Sequence, residues 1–393
     1  MAWLLVAVII GYPVAGLAAS ALNWDSLIAS VPLRVAVLVL SLWVWMRNRN
    51  PGDHPGQAWL VGFATLYTIR LVWDAAINSV PGAAEAIVFY LLTVLVPALA
   101  LWRGVHALDE RQAVRLMFGT GTLICTVALA MHLLGIGQDR SLTEATGRLS
   151  FEALNPISLG HAAATTLIAA MCQLHKGSRA STLPWLLAGS TVAALVLMLA
   201  ASRGPLLCLV FAALVFATTT RRWHWLLLPL AILPWVVDAD AELWQRFSNL
   251  EEDASALERL ILQANAIDQF LGSPFLGSAF VESEFLTYPH NLFIETAMAL
   301  GFVGIVLLLA LLRHALGSMM RQFRSGLLLV PLLFLQYFVS AQLSGAIYGS
   351  SALWVCIGLL IGRQTRQRRQ FASPTRPQDA TATSILVAPT PAQ

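Results

Sequence analysis

Long apolar runs separated by short polar stretches recur along the chain. Most runs approach the roughly 20 residues that a helix needs to cross a hydrocarbon core. The pattern predicts twelve spans, near 2–22, 27–46, 58–77, 84–102, 116–135, 157–175, 184–201, 205–220, 223–238, 290–312, 326–345 and 347–363. The expected fold class is all-α, a polytopic membrane protein of about twelve transmembrane helices with a long outer loop containing an amphipathic helix. The expected organisation is N-terminal helices over 1–135, central helices with a short outer loop over 136–238, and a large outer loop over 239–289. C-terminal helices over 290–363 and a disordered tail over 364–393 complete it; the Pro, Thr and Ala content from about 373 carries the last assignment.

Two segments depart from the pattern of tight connections. One is GIGQDRSLTEATGRLSFEALN, from about 135 to 155. The other, from about 239 to 289, has a helical period of its own. Leu257, Leu260, Ile261, Ala264 and Ile267 share one face, with Glu258, Gln263 and Asp268 off it. This spacing predicts an amphipathic helix on the membrane surface or over a cavity, ended by Gly272-Ser273-Pro274.

Composition excludes a soluble domain. The 393 residues are 58% hydrophobic and 11% charged, with mean hydropathy +0.71, against about 25% charged in soluble proteins. Charge gives the orientation. With the N-terminus inside, the cytoplasmic segments hold most of the basic residues, among them Arg47, Arg103, Arg111, Lys176, Arg221, Arg313, Arg321 and Arg363. Both termini are therefore expected in the cytoplasm. GLAAS in the first run resembles a cleavage site, but no basic segment precedes it, so the run is read as an uncleaved span. All four cysteines fall inside spans, which implies neither a disulfide framework nor a zinc site.

The basic residues on the outer side run against that bias, and each needs a reason. Arg203 lies in ASRGPLL, where Ser202 and Pro205 suit the opening of a helix. A guanidinium at a helix N-terminus makes an anion site; the plain alternative is an arginine snorkelling to head groups. Arg259 sits on the amphipathic helix, either as a site residue or paired with Glu251, Glu252 and Asp253. Arg148, in TGRLSFEALNPISLG, is a second outer-loop cation. Arg70 and Asp74, four apart in one span, are expected to pair with each other. His290 stands where the tenth apolar run begins. A helix dipole and nearby arginines there would keep its imidazole neutral, as a general base requires. The alternative is a packing histidine, and His161 is placed similarly.

An SRG at the start of a span, a long outer loop, an arginine upstream of GSPFLGSAF, and then HNLFIETAMALGFVG resemble, in that order, the O-antigen ligase and polymerase superfamily of bacterial membrane glycosyltransferases. The likeness runs from roughly 140 to 345 and is strongest from 200 to 305. It implies an inner-membrane protein whose outer side is the periplasm. The donor would be a glycan on undecaprenyl pyrophosphate. The acceptor would be lipid A-core for a ligase, the closer reading, or a lipid-linked glycan for a polymerase. Arg203 and Arg259, with Arg148, would bind the pyrophosphate, and His290 would take the acceptor hydroxyl proton in one inverting displacement. No cofactor or metal is implied, and the outer loops show no DxD pair. The expected partners are these lipids in the membrane, with no nucleic acid and a monomeric chain. A reading from another class, a lipid-linked glycan transporter, requires charged groups at mid-membrane, for which Arg70, Asp74 and Glu295 are the candidates.

Overall fold

The computed structural model describes residues 1–48, 55–141, 143, 147–177, 180–223 and 254–372. The described residues form an all-α, polytopic bundle without strands. Helix α1 (Ala2–Leu22), α2 (Ser26–Arg47) and α3 (Pro55–Ala76) come first. A broken span follows, in which α4 (Ala83–Phe89) passes through a π-helical turn, Tyr90–Leu95, into α5 (Val96–Arg103). Next are α6 (Glu110–Leu134), α7 (Pro156–His175), α8 (Leu183–Leu199) and α9 (Arg203–Thr220). The C-terminal part comprises α10 (Ala254–Gly272), α11 (Leu292–Arg324), α12 (Leu329–Leu343) and α13 (Ser351–Ala372).

Every predicted span coincides with a helix except the ninth, whose residues 224–238 lie outside the described set. Among the described residues eight helices are long and apolar enough to cross a membrane, and α12 and Ser351–Arg363 are shorter apolar helices. α11 continues well past the predicted end at 312. Arg313, Arg321 and Arg324 close an apolar run but do not stop a helix whose end can leave the bilayer.

α7 is the central helix. Its Ala162, Ala163, Ala164, Ala169 and Ala170 are buried, and so are Thr165 and Thr166. Small side chains let neighbours approach closely in a bilayer, and a Cβ on Gly121 of α6 would collide with Thr166. The four cysteines are free and buried.

Polar knots fasten both ends. At the end holding Glu110, its buried carboxylate accepts from Lys176 Nζ at 2.9 Å, Arg363 Nη1 at 3.3 Å and the Leu328 amide at 2.8 Å. At the opposite end, Arg70 and Asp74 do pair, at 3.5 Å. They also do more than the sequence pattern suggests. Arg70 donates to the carbonyls of Ala299, Ser278, Leu276 and Gly277, and Asp74 accepts from the Phe280 amide at 2.8 Å. α3 thereby clamps the GSPFLGSAF segment onto α11. The clamp needs Gly301, which breaks the helical path of α11 at φ 64° and ψ −157°. The Phe302 amide then turns to Pro274 O at 2.8 Å. A Cβ at Gly301 would strike the Phe275 backbone, so this close approach requires glycine.

Candidate active site

The second end of the bundle collects the predicted site residues. α7 to α9 run alternately up and down, so the turns after α8 and before α7 lie together. The Leu149 amide donates to Leu199 O at 2.7 Å, which sets Arg148 against the end of α8. Four residues after Leu199, Arg203 opens α9, following Ala201 at φ 42° and the N-cap Ser202. Both arginines are half-buried. α9 packs against α12, whose C-terminal residues meet the other half of the site.

That half is built around the α12–α13 turn. Arg259 Nη1 of α10 donates to Leu343 O at 3.2 Å. Asn291 caps α11, accepting from the Phe293 and Ile294 amides at 3.0 and 3.1 Å, and its own amide reaches Gln342 O at 3.4 Å. His290 precedes this cap at φ 57°, a conformation costly for a residue with a Cβ. Its strained backbone directs the imidazole back toward α12–α13, where it hydrogen-bonds to the Ser344 backbone. Nδ1 is buried without a partner. Tyr288 packs its ring on the imidazole, with centroids 4.4 Å apart.

Electrostatics at His290 favour the neutral ring. Burial holds its pKa below the ordinary histidine value, and the Arg259 charge adds to this. Glu258 and the Ser344 hydrogen bond oppose it. The Tyr288 hydroxyl is raised by burial and by Glu295, against the pull of Arg259. Arg259 and His290 thus form one electrostatic unit. Desolvation outranks the arginine in keeping the ring neutral.

His161 lies in a different network. Its Nε2 is 2.9 Å from Ser340 Oγ, its carbonyl accepts from Gln336 Nε2 at 3.1 Å, and its ring lies 5.8 Å from Tyr337. These contacts join α7 to α12. The expected alternative partners of Arg259, Glu251 to Asp253, lie outside the described residues.

The stripe Leu257, Leu260, Ile261, Ala264 and Ile267 faces away from the bundle, while Leu262 and Ala266 are buried against it. The outward stripe agrees with placement on the membrane surface and not with a cover over a cavity. Sequence reasoning overlooked Tyr288 and Glu295 as positioning groups. Glu295 is fully buried and accepts from the Ile347 amide at 3.0 Å through both oxygens, so it holds the turn that carries Ser344. The TYPHN and SGAIYGS stretches carry the only signal, aromatic and small polar residues interrupting apolar runs.

Residues 188–309 match the family model described as O-antigen ligase. The matched stretch contains Arg203, Arg259 and His290 and excludes Arg148. A search of curated proteins finds no match to the chain.

Proposed function

We propose that this multi-pass membrane protein, whose residues 188–309 carry an O-antigen ligase superfamily domain, is an O-antigen ligase acting at the periplasmic face of the inner membrane. The observation that carries the reading is that Arg259 and His290, both inside the matched stretch, meet at the α12–α13 turn. A cation there depresses the pKa of the base and can also receive an anion.

In the proposed reaction the donor is a glycan on undecaprenyl pyrophosphate. Arg203 and Arg259 bind the pyrophosphate in two-pronged fashion, and Arg148 adds charge at its edge. The acceptor is a sugar hydroxyl of lipid A-core. His290 takes the hydroxyl proton as the oxygen attacks the anomeric carbon. The new glycosidic bond forms with inversion while the bond to phosphate breaks, and its electron pair leaves with the pyrophosphate. Charge on that leaving group grows in the transition state, where fixed guanidinium groups help most. No metal or cofactor takes part in this scheme.

Transport fits less well. The three candidates for a mid-membrane path are committed to holding loops: Arg70 and Asp74 clamp residues 276–280, and Glu295 binds Ile347. The test of the enzymatic reading is transfer in liposomes from a defined lipid-pyrophosphate glycan to lipid A-core, in excess chelator. Product should form with release of undecaprenyl pyrophosphate. A reaction that requires added magnesium or manganese would refute the proposed leaving-group chemistry.

A further inference from the structure

A cavity of about 510 Å³ opens between α1, α2, the α4–α5 span, α7 and the α12–α13 turn. Tyr12, Arg34, His161, Tyr288, Tyr337 and Tyr348 are on its walls, interspersed with serines from four elements. None of Arg148, Arg203 and Arg259 lines it. It meets the candidate active site through Tyr288, which packs on His290, and through Ser344, which His290 hydrogen-bonds.

Arg34 is the unexplained residue in this cavity. It occurs in the third turn from the outer end of a highly apolar helix, where a snorkelling arginine would sit on the lipid face. The lipid face of α2 is the exposed stripe Ile28, Val31, Val35, Val39 and Leu42. Arg34 instead shares the register of Ser30, Val37, Ser41 and Val44, all buried. It therefore points into the protein. Its guanidinium lies over the Phe89 ring, 4.7 Å from the centroid, which fixes the plane and leaves its N–H edge available. Among the described residues no Asp or Glu lines the cavity. Among the described residues no carboxylate comes within ion-pair distance of Arg34. The adjoining wall is the π-helical turn, from which Thr93 reaches back to Phe89 O at 2.7 Å.

Aromatic faces with many hydroxyls suit the apolar and polar faces of a sugar ring, and a lone planar cation suits an oxyanion. We propose that this cavity is the acceptor subsite and selects a sugar bearing a phosphate or carboxylate, which Arg34 grips. The inference rests on the glycan-transferase reading. The pyrophosphate is assigned to the arginines outside the cavity, so the cavity receives the other reactant, with His290 and Tyr288 at the boundary.

The test uses the full chain in nanodiscs of neutral phosphatidylcholine, titrated calorimetrically with glucose 6-phosphate, glucose and inorganic phosphate. Wild type should bind the sugar phosphate about tenfold or more tighter than either fragment, since a charge-assisted hydrogen bond is worth about one to two decades in affinity. Arg34→Gln should lower binding to the glucose value, and Arg34→Lys should restore part of it. The readout is equilibrium binding with no donor and no turnover, so a failure of the catalytic assignment would not be mistaken for a failure here. Equal binding of inorganic phosphate and glucose 6-phosphate would overturn the subsite as sugar-specific. So would displacement by phosphatidylglycerol in the nanodisc, an undiminished Arg34→Gln, or no binding by wild type. Should Arg34→Gln not fold, Ser30→Trp, which fills the cavity and keeps the charge, must abolish the same preference.

Discussion

Removing the Arg259 charge should move the acid limb of the pH profile upward. Burial and Arg259 together hold His290 below its ordinary value, so activity that needs the neutral ring persists to lower pH than for a free histidine. A like charge within about 4–6 Å shifts a neighbour by roughly one to three units. Here both side chains are partly solvated, and Glu258 acts in the opposite sense. The expectation for Arg259→Gln is therefore a rise of the acid limb, with burial still holding it below that of a free histidine. The measured quantity is kcat/KM for glycan transfer in liposomes from pH 5 to 8.5, because it reports the free enzyme's base before any pyrophosphate is bound. The acid limb falls as pH drops through the His290 pKa, so the variant should lose more activity than wild type on that limb. The plateau falls too, since the donor loses a contact. A lower plateau with an unmoved acid limb would mean that Arg259 does not act on the base. A wild-type acid limb surviving in His290→Ala would mean that the titrating group is another residue.

Further outcomes can be read from the same preparations. His290→Ala should lose about 10²- to 10⁴-fold in turnover with near-normal donor binding, whereas His161→Ala, which sits in the α7–α12 network, should be mild; the reverse result would exchange their roles. Arg203→Lys keeps charge but loses the fork, so donor affinity and turnover should both fall, and unchanged affinity would remove it from the pyrophosphate site. Gly301→Ala should destabilise by more than the roughly 1–2 kcal/mol of a left-handed conformation alone, because its Cβ meets the Phe275 backbone. Thermal melting in detergent measures this, and an unchanged midpoint would show that the α11 break tolerates a side chain.

The spans were legible because lipid imposes a long, uninterrupted apolar requirement that few residues violate. His290 and the arginines could be singled out for the same reason, as polar groups where the pattern forbids them. Arg34 was equally out of place, yet its role depends on what faces it, and Phe89 and the α12–α13 turn lie far from it in sequence. α10 shows the same limit. Its apolar stripe marks lipid or solvent, while Leu262 and Ala266 are buried against the bundle and Gln269 and Phe270 also reach it. The clamp from Arg70 to residues 276–278 spans more than 200 positions in sequence. Backbone carbonyls as its acceptors leave no trace in side-chain spacing. Tyr288 and the Ser344 turn were invisible for a related reason, since they touch His290 by a ring face and a backbone group.

On the proposed reading a ligase and a polymerase would use the same arginines and base and differ in which hydroxyl attacks, so the most direct measurement offers both. Purified protein in liposomes would receive a labelled lipid-pyrophosphate glycan together with equal amounts of lipid A-core and a second, isotopically distinct lipid-pyrophosphate repeat unit. Products would be identified by mass spectrometry. The proposed function predicts label transferred to lipid A-core with inverted anomeric configuration, and the same reaction lost in His290→Ala. Label appearing only on the second lipid-pyrophosphate unit, as an elongated chain, would contradict it.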